Sequence, residues 1–182
     1  EETIKETILS ATAVAAEARQ QAAVRGVPES TIQAECRRIL DRMRASVNIY
    51  VVRFLAVIMR RIFNNIYSGI DYNDDGLEKV REAVIKGPVV IVPSHKSTLD
   101  SHLLSYIFFR EGIALPRIAA GDNLNIPMVG RMLQNSGAFF IRRSFATDKL
   151  YSAIFKEYVS YLLRNGYPLE FFPEGGRSRT GK

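Results

Sequence analysis

The sequence predicts an α/β fold, a parallel-rich sheet with flanking helices that follows an N-terminal α-helical region. An unbroken apolar run at 89–92 is typical of a strand buried on both faces, as in parallel sheets. From that run onward, short apolar runs alternate with helical periods, which is the pattern of strands connected by helices. Residues 1–44 are rich in Ala, Glu, Gln and Arg and hold Gly and Pro only at 26–28, as expected of two helices joined by a turn.

Composition sets bounds on the fold and on the partners. The 182 residues are 47% apolar, which is ample for the core of one domain with or without a helical extension. The 25 Lys and Arg exceed the 19 Asp and Glu, and the net charge of +6 suggests an anionic partner: a phosphorylated substrate, a membrane surface or nucleic acid. A lone cysteine, Cys36, excludes an intrachain disulfide and fits a reducing compartment.

No signal peptide or ordinary membrane-spanning run is visible in the sequence. The chain opens on Glu1 and stops at Lys182 inside a Gly-rich basic motif. We therefore expect it to be a piece of a longer protein.

The N-terminal region, residues 1–72, is predicted to be helical, with Ser30 as the N-cap of its second helix. A further helix at 45–67 has a wide apolar stripe with arginines opposite; the predicted stripe comprises Val47, Val51, Phe54, Leu55, Ile58, Ile62 and Ile66. Two interpretations of this stripe stay open, since it could pack on the domain core or lie in a membrane interface. The turn cluster at 71–76 is the predicted boundary to a second domain, 73–182.

The second domain is predicted to alternate helices with strands. The predicted helices lie at 77–86, 97–110, 126–135 and 148–164. The predicted strands lie at 89–92, 117–120, 138–142 and 169–172. Right-handed crossovers between such strands produce a parallel sheet.

Residues suited to chemistry fall where the predicted strands end. In strand order they are His95, then Asp122 and Asn123, then Arg142 and Arg143, and finally Glu174, Arg177 and Arg179. Because the carboxyl ends of parallel strands share one edge of a sheet, we expect these groups to converge on one cleft.

His95 is the predicted general base, because histidine is the side chain whose ordinary pKa lies nearest neutrality. Asp100 could orient the ring and stabilise the imidazolium. Ser97 to Asp100 also fits an N-capping pattern, but we favour the pair with His95 because the first turn of a helix can face the preceding loop. A metal site of His95, Asp100 and His102 is disfavoured, because side chains two apart on a helix diverge. We expect no metal and no cofactor.

The final stretch permits two kinds of phosphate site. Residues 176–182 match the GxxxxGK loop of nucleotide hydrolases, which would need Ser or Thr at the next position. Arg177 and Arg179 inside this stretch favour phosphate binding by guanidinium forks instead. A P-loop nucleotide hydrolase stays the alternative from another class. We expect no nucleic-acid partner, because no aromatic residues interleave with the basic ones near 174–182.

Three blocks stand out in the second domain: SHKSTLD at 94–100, GAFFIRRSF at 137–145 and FPEGGRSRTGK at 172–182. They resemble, in order, the first three motif blocks of the glycerol-3-phosphate acyltransferase family. The similarity runs through 70–182. The fourth, apolar and Pro-containing block of that family is missing.

The resemblance implies acyl transfer from a thioester to the sn-1 hydroxyl of glycerol 3-phosphate, giving lysophosphatidate in the first step of phospholipid synthesis. It implies His95 as the base and Asp100 as its partner. By position in the blocks, the acceptor and phosphate site would comprise Arg142, Glu174, Gly175, Arg177, Ser178 and Arg179. Related lysophosphatidate acyltransferases usually carry an acid where Arg142 stands, which favours the glycerol-phosphate branch. The dihydroxyacetone-phosphate branch stays open.

Together these inferences predict a membrane-associated acyltransferase on the cytoplasmic face, of the bacterial inner-membrane type. Its expected partners are glycerol 3-phosphate, an acyl-CoA or acyl-carrier-protein thioester, and the membrane lipid surface. No acyl-enzyme is expected, because Cys36 lies outside the site blocks and none of the serines has a second convincing base.

Overall fold

The computed structural model describes residues 2–97 and 99–175. Its N-terminal region contains α1 (Glu2–Ser10), α2 (Thr12–Arg25), α3 (Glu29–Met43) and α4 (Ile49–Asn65). The prediction of only two helices before residue 44 is wrong, because extended backbone at Ala11, with φ −57° and ψ 136°, separates α1 from α2. Ser30 is not the N-cap of α3, because Pro28 takes that place with φ −57° and the helix begins directly after it.

The rest of the described chain alternates helices with strands. The helices are α5 (Asp74–Lys86), α6 (Asp100–Arg110), α7 (Val129–Ser136) and α8 (Lys149–Arg164). The strands are β1 (Val90–Ile91), β2 (Arg117–Gly121), β3 (Ala138–Ile141) and β4 (Leu169–Glu170), and a 3₁₀ turn (Asp122–Leu124) follows β2. Every predicted helix and strand of this part is present, although β1 and β4 are shorter than predicted because they pair over two residues only.

In the described part of the chain these strands form one parallel sheet in the order β1-β4-β2-β3, which confirms the predicted fold class. The last strand is inserted between β1 and β2, where Glu170 is in register with Ile91 on one side and Ile118 on the other. The ends of β1 and β4 are therefore neighbours. The strand β3 is the outermost strand on the other side of the sheet from β1, so the end of β3 lies farthest from the end of β1.

One face of the sheet carries the main hydrophobic core. Phe139 and Leu169 point from the sheet into a cluster formed with α1, α2, α3 and α8. Ile8, Leu40 and Ile154 in this cluster are 0% exposed, and each such side chain contributes about 1.5–3 kcal/mol relative to leaving it in water. The N-terminal helices thus share a core with the sheet. The domain division at residue 72 stays a prediction.

The helix α4 packs on α6 and α7 with a face that is rotated from the predicted stripe and shares Leu55 with it. It buries Val52, Met59 and Phe63. Phe54 and Ile58, which the stripe included, are 61% and 38% exposed. Apolar residues occupy most of the circumference of this helix, so the sequence pattern could not select the packed face. No helix in the described residues is long and apolar enough to span a bilayer.

Candidate active site

The loop between β1 and α6 brings His95 next to Asp100. Residues 92–96 are neither helix nor strand, and α6 begins at Asp100. Nδ1 of His95 lies 3.4 Å from Oδ2 of Asp100, and the two side chains are 21% and 24% exposed. Nε2 of His95 has no hydrogen-bond partner among the described residues.

Asp100 holds the start of α6 as well as the His95 ring. Its Oδ2 accepts hydrogen bonds from the backbone N–H of Lys96 at 2.7 Å and of Ser97 at 2.6 Å. Burial by itself raises the pKa of Asp100, but the Ser97 and Lys96 N–H groups and the His95 ring outweigh it and hold the pKa below its ordinary value. The carboxylate is therefore charged at neutral pH. One oxygen makes both the capping contacts and the contact with His95.

The chain after β4 supplies a second wall of the site. Oε1 of Glu174 accepts from the backbone N–H of His95 at 3.3 Å. The ring of Phe172 lies 4.2 Å from the His95 ring, measured between centroids. Gly175 has φ +62°, in the left-handed region that favours glycine, and lets the chain turn directly after Glu174. The structure thus brings His95, Asp100 and Glu174 together.

Arg142 lies apart from this group and has internal partners. It follows β3, which is three strand spacings from β1, or roughly 14 Å at about 4.8 Å per spacing. Its Nη1 donates to Asp148 Oδ2 at 2.8 Å, and its guanidinium lies 4.4 Å from the centroid of the Tyr151 ring. The expectation that all strand ends converge on one cleft holds for β1 and β4 but not for β3. The substrate-binding role of Arg142 stays a prediction.

Asp122, at the end of β2, also has a partner within the chain. Its two carboxylate oxygens each accept from the Arg42 guanidinium at 3.2 Å, which ties α3 to the sheet. Asn123 beside it is exposed. The sequence contained no signal that Arg42, 80 positions earlier, would be the partner.

The predicted phosphate-binding residues Arg177, Ser178 and Arg179 lie outside the described residues. The same holds for the whole 176–182 stretch that matches the nucleotide-hydrolase loop. Their roles, and the choice between the two kinds of phosphate site, stay predictions on this structure.

An apolar cavity of about 110 Å³ lies on the face of the sheet opposite the main core, between α4, α6 and α7. Just after Asp100, α6 contributes three polar residues to its lining, namely Ser101, His102 and Ser105. Burial lowers the pKa of His102, so its ring is neutral at pH 7, with Nδ1 3.3 Å from Ser101 Oγ. The described residues hold no group of three or more side chains that could bind a metal ion. Sequence reasoning missed this cavity, because its lining comes from α4, α6, α7, β2, β3 and the 3₁₀ turn, which are far apart along the chain.

By fold and site, the chain belongs to the α/β proteins that present a histidine–carboxylate pair at the carboxyl edge of a parallel sheet, an arrangement suited to general-base chemistry. Sequence comparison identifies the family, because the profile of the Acyltransferase family matches residues 71–182. The chain therefore belongs to the acyltransferase family.

Similar proteins include ones named dihydroxyacetone phosphate acyltransferase and ones named glycerol-3-phosphate acyltransferase. The dihydroxyacetone phosphate acyltransferase of Bos taurus is 44% identical over 157 residues, which are 85% of this chain and 23% of that protein. The glycerol-3-phosphate acyltransferase of Haemophilus influenzae (strain PittEE) is 42% identical over 176 residues, 96% of this chain and 22% of that protein. The glycerol-3-phosphate acyltransferase of Pseudomonas putida (strain GB-1) is 41% identical over 170 residues, 93% of this chain and 20% of that protein. The chain thus spans between a fifth and a quarter of the length of these relatives.

Proposed function

We propose that this chain carries the catalytic centre of a glycerolipid acyltransferase that moves a fatty acyl group from a thioester to the sn-1 hydroxyl of glycerol 3-phosphate. The product is lysophosphatidate. The observation that carries the proposal is the 3.4 Å contact of His95 Nδ1 with a charged Asp100, which leaves Nε2 without a partner among the described residues. Membership of the acyltransferase family supports it.

In this mechanism His95 is the general base. Its Nε2 takes the proton of the acceptor hydroxyl while that oxygen attacks the thioester carbonyl carbon. The tetrahedral intermediate then expels the thiolate, which receives the proton from the imidazolium and leaves as a thiol. Asp100 stabilises the imidazolium in between. A positioned base of this kind contributes about 10²–10⁴-fold to the rate.

The acyl group is proposed to pass directly from donor to acceptor. Cys36, the lone cysteine of the chain, lies in the core of the N-terminal helices and is 3% exposed. Burial raises the pKa of its thiol to about 11, so it is a poor nucleophile at neutral pH. This supports a route without a thioester-linked enzyme intermediate.

The phosphate of the acceptor is proposed to bind Arg177, Ser178 and Arg179, with Glu174 and Gly175 at the start of that segment. The three residues follow Gly175 closely in the chain, and Glu174 contacts the backbone of His95. This supports a phosphate site near the base. Arg142 is proposed as a further acceptor residue on the resemblance alone.

Dihydroxyacetone phosphate is a second candidate acceptor. Relatives named for it and relatives named for glycerol 3-phosphate are 44% and 42% identical to this chain, so sequence identity does not favour either. The two molecules share the phosphate and the reacting hydroxyl and differ only at the middle carbon.

The apolar cavity beside α6 is proposed to receive part of the acyl chain. Its lining is mostly apolar, and it begins one residue after Asp100 along α6. The donor is proposed to be either an acyl-CoA or an acyl-carrier-protein thioester.

We further propose that the protein works on the cytoplasmic side of a membrane, because its product is an amphiphile. Exposed apolar side chains lie on α4 and around the start of α7, which packs on α4. They are Tyr50, Phe54, Val57, Ile58, Ile126, Met128 and Val129. The exposed Arg53, Arg60 and Arg61 on α4 complement anionic lipid headgroups.

The test is an acylation assay on the intact protein as it occurs naturally. Palmitoyl-coenzyme A is offered with glycerol 3-phosphate, dihydroxyacetone phosphate or lysophosphatidate in turn. Turnover with glycerol 3-phosphate well above the other two supports the proposal, and turnover with dihydroxyacetone phosphate alone selects the second candidate. Absence of turnover with all three would overturn both.

A further inference from the structure

Glu170 is a buried carboxyl group that the mechanism above does not use. It lies on β4, between β1 and β2, and is 0% exposed. Both of its carboxyl oxygens are buried and have no hydrogen-bond partner among the described residues. A buried carboxyl without a partner opposes folding, so its presence in a central strand calls for a functional explanation.

The register of the sheet places the Glu170 side chain on the face of the sheet that carries α6. Its neighbour Leu169 points into the main core on the other face, and successive side chains of a strand alternate between faces. Glu170 is in register with Ile118, whose side chain lines the cavity beneath α6. Ser105 on α6 lines that cavity, and its buried hydroxyl also has no partner among the described residues. Two buried polar groups without partners therefore occur on the α6 side of the sheet.

The charged groups around Glu170 are acidic or turned away. From α6, the titratable residues on this side of the sheet are Asp100, His102 and Tyr106, and burial keeps His102 neutral. Arg117 of β2 is in register with Leu169, and its guanidinium lies over the Tyr167 ring. The two residues of β1 are apolar. Burial first, and then the charge of Asp100, raise the pKa of Glu170 to about 8.

The two carboxyl groups therefore differ in charge. Asp100 is held ionised by the N–H groups that it accepts, whereas Glu170 keeps its proton at pH 7. Separating the pKa values of neighbouring acids in this way is how proteins assign one acid the role of donor and the other the role of acceptor. All three hydrogen bonds of the Asp100 carboxylate go to Oδ2, which leaves Oδ1 without a partner among the described residues.

We propose that Glu170 is a positioning residue of the catalytic pair, a neutral carboxylic acid that donates a hydrogen bond to Asp100 Oδ1 when the substrates are bound and so keeps Oδ2 facing His95. This rests on the proposed function. Catalytic hydrogen bonds are often longer in the free protein and shorten in the complex with substrate. The donor role explains why an acid, rather than an apolar residue, occupies this buried position.

The kinetic test compares Glu170→Gln with Glu170→Leu in the acylation assay. Glutamine keeps a neutral donor of the same length, so its turnover number at pH 7 should stay near that of the wild type. Leucine fills a similar volume but cannot donate, and its turnover number should fall about 10- to 100-fold, the loss of one hydrogen bond to a charged group. The Michaelis constant for glycerol 3-phosphate should stay nearly unchanged in both variants.

The pH profile provides a second readout. Above pH 8 the wild-type Glu170 ionises, loses its proton for donation and repels Asp100, so turnover should decline. Glu170→Gln should lack this decline. The same variant should also unfold at higher denaturant concentration than the wild type, and the difference should grow as the pH rises from about 4.5 to about 8. Over that range the carboxyl ionises only when the protein unfolds.

The outcomes separate this proposal from the proposed function. A wild-type protein that transfers no acyl group would overturn both. An active wild type whose Glu170→Leu variant, folded by circular dichroism, keeps the wild-type turnover number and pH profile would overturn the positioning role alone. Equal losses of turnover in the glutamine and leucine variants would also overturn it, because turnover would then not depend on a hydrogen-bond donor at position 170.

Discussion

Replacing Asp100 by asparagine separates the two roles of its carboxylate. Asparagine has nearly the same shape and keeps one side-chain oxygen, which can still accept from the Lys96 and Ser97 N–H groups that lie at 2.7 and 2.6 Å. What it loses is the negative charge 3.4 Å from His95 Nδ1. We expect turnover to fall about 10²–10⁴-fold, equivalent to about 3–5 kcal/mol in activation free energy. The free energy of unfolding should fall by only about 0.5–2 kcal/mol.

The measurement pairs the turnover number for acyl transfer with urea unfolding of the same preparation. The pH dependence of stability adds a check with a defined sign. Because the pKa of Asp100 lies below its ordinary 3.8, its contribution to stability is present above that pH and is lost as the pH falls through its folded value. The difference in unfolding free energy between wild type and Asp100→Asn should therefore shrink below pH 4.

Ser97→Ala is the matched control for the capping role. Oγ of Ser97 accepts from the Leu99 N–H at 3.1 Å at the same helix start, and in the described part of the chain it makes no hydrogen bond to His95. This variant should lose about 0.5–2 kcal/mol of stability with nearly unchanged turnover. If Asp100→Asn behaves in the same way as Ser97→Ala, the carboxylate is a helix cap only and the reasoning is refuted.

Two further substitutions test the acceptor site and the membrane surface. Arg177→Lys or Arg179→Lys keeps the charge but loses the planar fork of the guanidinium. Each substitution should therefore reduce kcat/KM for glycerol 3-phosphate by about 10- to 150-fold and leave the Michaelis constant for the thioester donor unchanged. A two-substrate kinetic matrix measures both. Aspartate at Phe54 or Ile58 should release the protein from anionic liposomes in a flotation assay, whereas aspartate at the equally apolar Ile85, which is 80% exposed on α5, should not.

Controls decide how these results are interpreted. Arg164→Lys, on an exposed arginine paired with Glu157 on α8, should change neither Michaelis constant. If only the Michaelis constant for the thioester donor changes, Arg177 and Arg179 bind the thioester and not the phosphate of the acceptor. Unfolding of the Phe54 or Ile58 variants would mean that this face packs against protein.

The sequence predicted the part of the site that depends on local order along the chain. The apolar run at 89–92, followed within a few residues by His95 and Asp100, indicated a strand that leads into a helix, and the two side chains meet where that loop ends. Caps and glycine turns located the helices of the α/β part to within a few residues. Both inferences rest on neighbours in sequence.

Strand order could not be predicted, because no local pattern determines which strand lies beside β1. The insertion of β4 next to β1 is what places Glu174 on the His95 backbone and leaves Arg142 at the far edge. Glu170 was missed for a related reason. The sequence signal was a charged residue inside a predicted buried strand, but its burial depends on the helices that cover that face of the sheet, α4, α6 and α7. Ala11 shows the same limit, because nothing in its neighbourhood indicates a helix break.

The central claim is that His95 is the general base of acyl transfer. The most direct test is the turnover number of His95→Ala with saturating palmitoyl-coenzyme A and glycerol 3-phosphate, measured beside its circular dichroism spectrum and melting temperature. We predict a loss of about 10²–10⁴-fold or more with the fold intact. A folded variant with near-normal turnover would contradict the assignment of His95 and the mechanism built on it.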